Sequence, residues 1–124
     1  MANTNTKKAS VDFRAQLKRM EGDSCMFEAI TIGSYIFSIQ GSYAHYCSPQ
    51  ETLPSGTDYH LFEVMLFPNI DKKSRYVIHP NKDNFLRDCL GSNVKFFRSE
   101  DGVGGYVSYK TIQNMLDSLR ACYS

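Results

Sequence analysis

The sequence contains no tryptophan, no CxxC pair and no apolar run long enough to cross a membrane. A membrane-spanning helix needs about 20 mostly apolar residues, so no membrane segment is predicted. The first ten residues, MANTNTKKAS, lack the apolar stretch of a secretory signal. We therefore expect a cytoplasmic protein, in which all four cysteines remain free thiols because the cytosol is reducing.

The sequence also has little net charge, with 14 Lys and Arg against 13 Asp and Glu and a formal charge of +1. Proteins that hold many nucleic-acid phosphates carry a clear basic excess, so the composition argues against a nucleic-acid partner. A local excess occurs only in residues 1–20, which we interpret as a solvated tail and helix face. The alternative is a basic arm that touches an acidic partner or a phosphate backbone through Lys7, Lys8, Arg14, Lys18 and Arg19.

The length of 124 residues and the composition, 42% hydrophobic and 22% charged, are typical of one globular domain. Residues 1–9 are polar and predict a flexible tail, which leaves residues 10–124 as a single domain. The sequence shows no internal repeat and no second domain.

The clearest local pattern is a β-hairpin, with strands over 26–32 and 35–40 joined by Gly33-Ser34. Glycine at the first central position of a two-residue loop is typical of a type II′ turn. A register with Ile32 opposite Tyr35 and Ile30 opposite Phe37 gives one strongly apolar face, so turn chemistry and strand pattern agree.

The remaining elements predict an α+β fold, in which an antiparallel sheet of four to six strands has three helices packed on one face. The third strand is expected to be central, because both of its faces carry apolar residues. The helices are expected to begin after Ser10, Asn81 and Ser108. The strands beyond the hairpin are expected at 59–67, 75–79, 94–98 and 105–107.

Residues 41–58, GSYAHYCSPQETLPSGTD, predict a long loop, since prolines and glycines interrupt any regular element. Loops longer than about a dozen residues in small domains are often functional. Tyrosine and histidine beside Ser, Pro and Gly are typical of a contact surface, for which we select Tyr43, His45, Tyr46 and Glu51. Tyr106 and the Gly104-Gly105 backbone are a second choice. The structural alternative, that Tyr43, Tyr46 and Pro49 only pin the loop to the sheet, stays open.

The same loop contains the residue types of a cysteine hydrolase. Cys47 is a candidate nucleophile, His45 or His60 a candidate base, and Asp58 a candidate orienting group. No hydrolase motif surrounds Cys47, so catalysis is an alternative and we expect no enzyme activity.

Metal binding is a further alternative, with His45 and Cys47 joined by Cys25 or His79. Zinc sites usually combine two close ligand pairs, and this sequence has one, so we expect no metal and no cofactor.

A small-ligand protein, such as a binder of a signalling nucleotide, is the second function class. Loop tyrosines would stack on a base, and Arg75, Arg87 or Arg98 would hold phosphate. The glycine-rich residues 102–105 lack the lysine of a phosphate loop and are interpreted as a turn and bulge before a short strand.

The stretches SIQGSYAHYCSP, YHLFEVMLF and GGYVSYKTIQNMLDSL resemble small accessory proteins of bacteriophages and other mobile elements. The similarity is one of size, polar N-terminus and aromatic α+β character. Some of those proteins inhibit bacterial defence systems, including anti-CRISPR-type proteins. The resemblance implies a non-catalytic protein that contacts a host protein stoichiometrically, such as a defence nuclease complex, in the host cytoplasm. A homodimer formed through an edge strand or the third helix is also open.

Overall fold

Two antiparallel sheets and two α-helices make up the computed structural model, which describes residues 11–124. The predicted tail and the cap at Ser10 lie outside the described residues. The α+β class is confirmed, but the strands divide into a two-stranded sheet, β1-β2, and a four-stranded sheet in the order β3-β4-β5-β6. The strands are β1 (Arg19–Met20), β2 (Asp23–Phe27), β3 (Ile30–Ile32), β4 (Tyr35–Gln40), β5 (Leu61–Pro68) and β6 (Gly104–Ser108), and the helices are α1 (Asn84–Leu90) and α2 (Tyr109–Ala121).

The predicted hairpin is β3-β4, and its register is confirmed: Ile32 pairs with Tyr35 and Ile30 with Phe37. Gly33 has a φ of 55°, the left-handed conformation that the turn requires. The first strand of this hairpin begins at Ile30 and not at residue 26, so it is shorter than predicted. Residues 23–27 form β2 and pair with β1 instead.

β5 is central, as its two-sided apolar pattern predicts, and pairs with β4 on one edge and β6 on the other. Because side chains alternate along a strand, Phe62, Val64 and Leu66 point into the core, where each is fully buried. The apolar stripe of α2 completes this core with Ile112, Met115, Leu116 and Leu119.

Among residues 11–124 there are two α-helices, so the prediction of three is wrong. The expected first helix is a single 3-10 turn, Phe13–Gln16, because the chain turns extended at Leu17 and enters β1. α1 begins after Asp83, whose carboxylate accepts the Leu86 N–H, and not after Asn81. Ser108 caps α2 as predicted. Neither helix is long and apolar enough to cross a membrane.

Two predicted strands are absent from the described structure. Residues 75–79 contribute only an isolated bridge between Ile78 and Leu66, because the 3-10 turns Lys72–Ser74 and Pro80–Lys82 leave only a short extended segment between them. Residues 94–98 are mostly taken up by a 3-10 helix, Gly91–Phe96.

The second face of the four-stranded sheet is covered in part by the β1-β2 hairpin. Gln40 of β4 joins the two sheets, because its side-chain amide accepts the Phe27 N–H at 2.6 Å and donates to the Phe27 carbonyl at 2.9 Å. One buried side chain thus satisfies both backbone groups of Phe27, whose only strand neighbour is β1.

Cys89 and Cys122 form a disulfide between α1 and the end of α2, so the expectation of four free thiols is wrong for this pair. Their Cα atoms are 6.2 Å apart, within the range that a disulfide bridges. Cys89 lies on α1 and Cys122 directly follows α2, and the periodicity within one helix does not show that these two residues meet. Cys25 and Cys47 are free.

Candidate functional site

The loop between β4 and β5 has an inner side that packs against the sheet and an outer side that faces solvent. Ser48 forms an isolated antiparallel bridge with Leu61, and residues Gly56–Asp58 form a 3-10 helix that Ser55 caps. The predicted irregular segment is therefore held at several points along its length.

Tyr59 anchors the loop from within. Its ring is fully buried, and its hydroxyl accepts the Leu53 N–H at 2.8 Å and donates to the Glu51 carbonyl at 2.5 Å. Arg19 donates to the same hydroxyl at 2.9 Å and to the Leu53 carbonyl at 2.6 Å. Tyr59 thus fixes the loop to the sheet, a role that the structural alternative gave to Tyr43 and Tyr46. The sequence analysis treated Tyr59 only as the start of a strand.

Beneath the loop lies a set of polar side chains that we call the inner cluster: Ser42, His45, Cys47 and Glu63. Ser42 Oγ is 2.6 Å from His45 Nδ1 and accepts the Ala44 N–H at 3.0 Å. His45 Nε2 lies 3.9 Å from a Glu63 carboxylate oxygen, and both side chains are mostly buried. The cluster ties the loop to β5.

Burial shifts the titration of the inner cluster toward neutral forms. The pKa of His45 is lowered by burial and by the positive charge of Arg19, and the pKa of Glu63 is raised by burial against a hydrogen bond from the Tyr46 N–H. Burial also raises the pKa of the Cys47 thiol. A low-dielectric setting that disfavours charge on each group explains all three directions.

The arrangement does not assemble the candidate cysteine hydrolase. The Cys47 thiol is 1% exposed and donates to the carbonyls of Ser42 and Pro49, at 3.2 and 3.4 Å. Nucleophilic cysteines need a lowered thiol pKa and access to substrate, and Cys47 has neither. Asp58 accepts the Ser55 N–H in the 3-10 cap, and His60 is exposed on the outer side of the loop.

The metal alternative is not supported either. Within residues 11–124, no group of three His, Cys, Asp or Glu side chains could hold a metal ion. His79 Nδ1 lies 3.0 Å from the Ser99 carbonyl, and Cys25 lies on β2. His45 and Cys47 therefore lie together in the inner cluster, while Cys25 and His79 lie in other elements.

The outer side of the loop contributes to a surface that we call the aromatic patch. The rings of Tyr46 and Tyr106 lie 5.9 Å apart between centroids, and the Tyr106 N–H donates to the Tyr46 carbonyl at 2.9 Å. The two side chains are 50% and 51% exposed. Gly105 permits the approach, since a Cβ there would lie 3.2 Å from Tyr46 Cβ. An open cavity of about 400 Å³ is lined by Tyr46, Phe96, Arg98, Val103, Gly105 and Tyr106.

Tyr106 adopts a φ of 54°, and it is the one non-glycine residue among residues 11–124 with a positive φ. The register of β5-β6 shifts here, with Phe62 opposite Val107 and Val64 opposite Gly104, so Gly105 and Tyr106 bulge out beside Glu63. This fits the predicted turn and bulge. For an L-residue the left-handed conformation costs about 1–2 kcal/mol, and such strain concentrates at functional sites.

The structure brings some candidate site residues together and separates others. Tyr46, Tyr106 and Arg98 meet at the aromatic patch, while His45 lies beneath the loop. Tyr43 is 66% exposed, and Glu51 is exposed near the middle of the loop. Arg98 forms a two-pronged ion pair with Asp101. Arg75 follows the 3-10 turn after β5, and Arg87 lies on α1, so the three arginines do not form one phosphate site.

Sequence reasoning missed Phe96 and Val103 as members of the patch. They reach it through the 3-10 helix and the turn that precede β6, which no periodic pattern predicts. Comparison with known protein families, with curated proteins and with solved structures found no match to this chain.

Proposed function

We propose that this protein acts without catalysis, by stoichiometric contact with a protein partner through the aromatic patch. The observation that carries the proposal is the meeting of two half-exposed tyrosines, from segments about 60 residues apart, on a bulged strand edge. Tyrosine, phenylalanine and arginine are enriched at the energetic centres of protein interfaces, because they combine large apolar area with directed polar groups.

The charges around the patch favour a protein surface over a phosphate ligand. Asp101 binds the Arg98 guanidinium through two of its nitrogens, which neutralises the cation that a phosphate would need. Lys95 Nζ lies 5.5 Å from the centroid of the Phe96 ring and belongs to the rim. A nearly neutral aromatic centre with a charged rim is the usual arrangement of a protein interface.

The strain at Tyr106 supports a role for its ring. A glycine or asparagine would occupy this backbone conformation at lower cost, and the folded core does not need a half-exposed phenol. A tyrosine at this position is therefore best explained by a contact that the ring makes with another molecule.

The finer proposal is that the partner belongs to a bacterial defence complex, so that the protein is a phage-type inhibitor. This rests on the sequence resemblance, and the neutral patch is compatible with it. The test uses bacteria with an active CRISPR interference system and a targeted plasmid. The protein should restore plasmid survival, and the double variant Tyr46→Ala/Tyr106→Ala should not.

A matched control separates the patch from aromatic exposure in general. Tyr76 is 61% exposed and lies outside the aromatic patch, so Tyr76→Ala should behave as the unsubstituted protein. Chemical cross-linking of the bound partner should reach Lys95 at the rim of the patch. A double variant that folds normally and binds the partner with unchanged affinity would remove the patch from the proposal. If the protein does not restore plasmid survival in any defence system tested, the inhibitor role is overturned, but the contact through the aromatic patch is not.

A further inference from the structure

The second face of the four-stranded sheet is only partly covered, and an apolar groove remains beside the β1-β2 hairpin. Gln40 holds the hairpin over one end of β4, while Ile36 and Phe67, paired across β4 and β5, lie at the other end. Met20 and Met26 of the hairpin line the groove next to them. The cavity measures about 460 Å³, within the range of small-molecule sites in proteins.

The lining of this groove is suited to a flexible apolar ligand. Methionine side chains are unbranched and polarizable, so they adapt to ligands of irregular shape. Ile36 and Phe67 belong to the most extensively paired part of the sheet and give the groove a rigid floor. The combination of fixed floor and adaptable wall accommodates a chain better than it does a planar ring.

The walls of the groove carry opposite charges. Lys72 and Arg75 stand on the 3-10 turn after β5, and neither has a carboxylate partner among residues 11–124. Arg75 Nε donates to the Ile70 carbonyl, which leaves the outer guanidinium nitrogens free of protein partners. Asp23 stands on the hairpin side, where its Oδ1 accepts the Cys25 N–H at 3.1 Å.

We propose that the groove binds an amphipathic anion, a fatty carboxylate whose apolar chain lies over Ile36 and Phe67 and whose carboxylate meets Lys72 and Arg75. Two unpaired cations at one wall of an apolar groove are the electrostatic complement of that ligand, and arginine binds carboxylate through two parallel hydrogen bonds. Asp23 opposes the anion and directs its carboxylate to the other wall. This site is separate from the aromatic patch and independent of the proposed contact with a protein.

The first test is calorimetric titration of the full chain with laurate, below the concentration at which it forms micelles. Laurate should bind with one site per chain. Dodecyltrimethylammonium, which has the same chain length and the opposite charge, should bind at least about tenfold more weakly, since a tenfold change corresponds to about 1.4 kcal/mol. Equal affinity for the two amphiphiles, or no binding of laurate, would overturn the proposal.

Charge substitutions give the second test, with opposite signs expected on the two walls. Lys72→Ala/Arg75→Ala should weaken laurate binding about tenfold, because it removes both cations that the carboxylate meets. Asp23→Asn should tighten it about twofold by removing a repulsion. Lys82→Ala/Lys110→Ala removes two exposed cations elsewhere and should leave the affinity unchanged. The same loss in both double variants would show non-specific attraction and contradict the site.

Methyl NMR of methionine-labelled protein locates the ligand without any substitution. The Met20 and Met26 methyl signals should shift on addition of laurate. The Met115 methyl, fully buried in the core, serves as an internal control and should not shift. If laurate binds but the Met20 and Met26 methyl signals do not shift, laurate occupies another surface and the proposed site is wrong.

Discussion

The inner and outer sides of the loop over residues 41–58 differ in what their side chains contact. On the inner side, polar groups of Ser42, His45 and Cys47 are hydrogen-bonded within the protein. On the outer side, the rings of Tyr43 and Tyr46 face solvent, and Tyr46 lies against a strained tyrosine. Adjacent residues in the sequence thus have different roles. Some hold the loop in place, and others face solvent and remain available for contact.

This difference shows how a small domain can present aromatic rings from a loop that packs against a strand. The inner side supplies the free energy that fixes the backbone, through burial and satisfied hydrogen bonds. The outer side then presents its rings at little further cost in conformational entropy, because a tyrosine side chain has only two rotatable angles. Substitutions on the inner side should therefore affect stability, and those on the outer side binding.

The largest effect is expected at Tyr59. Tyr59→Ala removes a fully buried ring and the hydroxyl that joins Leu53, Glu51 and Arg19, and should lower the free energy of unfolding by about 4 kcal/mol. Tyr59→Phe keeps the ring and should cost about 2 kcal/mol, since it leaves the Leu53 N–H unpaired. Urea denaturation measures both. Costs below about 1 kcal/mol would show that the loop is held from elsewhere.

A smaller effect is expected at Ser42, within the inner cluster. Ser42→Ala removes the oxygen that accepts the Ala44 N–H and contacts His45, and should cost about 1–2 kcal/mol. Thr52→Ala, on the exposed side of the same loop, is the matched control and should cost less than about 0.5 kcal/mol. If the two variants are equally stable, the distinction between the sides fails.

The inner cluster should also make stability depend on pH through His45. Its pKa is lowered in the folded protein, so between that value and the ordinary 6.5 the unfolded chain binds more protons. The contribution is fully present above 6.5 and is lost as the pH falls through this window. His45→Gln should therefore lose less stability than the unsubstituted protein on going from about pH 7.5 to about pH 5.5.

Glu63 contributes in the opposite sense, and this separates the two groups. Its raised pKa means that the folded protein holds the proton longer, so stability is lost as the pH rises above the ordinary value of 4.5. Glu63→Gln should remove that loss, while the dependence due to His45 remains. Circular dichroism with urea at several pH values measures the free energy of unfolding of the His45 and Glu63 variants.

The smallest effect on stability is expected at Tyr106. Tyr106→Asn relieves the left-handed backbone strain and loses the contact with the Tyr46 ring, two terms of about 1 kcal/mol and opposite sign. The free energy of unfolding should change by less than about 1 kcal/mol, while partner binding is lost. A large destabilisation would show that Tyr106 stabilises the fold, as the residues on the inner side of the loop do.

Local patterns predicted the parts of the fold that local interactions determine. The Gly33-Ser34 turn fixed the register of β3-β4, and the spacing of Ile112, Met115, Leu116 and Leu119 with Ser108 before it located α2. Apolar residues on both faces also identified β5 as central. In each case the evidence lies within about a dozen neighbouring residues.

The errors arise where tertiary pairing decides. Residues 75–79 have a strand-like composition, but 3-10 turns on both sides keep the segment short, so only Ile78 forms a bridge. The Cys89–Cys122 disulfide depends on how two helices meet, which neither stripe contains.

The sequence predicted some of the residues that belong to the candidate site but not how they come together. Tyr46 and Tyr106 stood out by residue type, but their meeting depends on a bulge and on a glycine without a Cβ. The role of Tyr59 could have been suspected from its place between a polar loop and an apolar strand, where a buried tyrosine can satisfy loop backbone groups.

Gln40 has a consequence for the width of the apolar groove. A strand ladder fixes the separation of two sheets with many bonds, whereas a side-chain amide connects them through one rotatable arm. Arg19 holds the other strand of the hairpin to Leu53 and Tyr59, so the Gln40 side chain sets the separation only where β2 faces β4, and with it the width of the groove. Shortening this side chain by one methylene, in Gln40→Asn, should draw β2 toward β4 and exclude longer acyl chains before shorter ones.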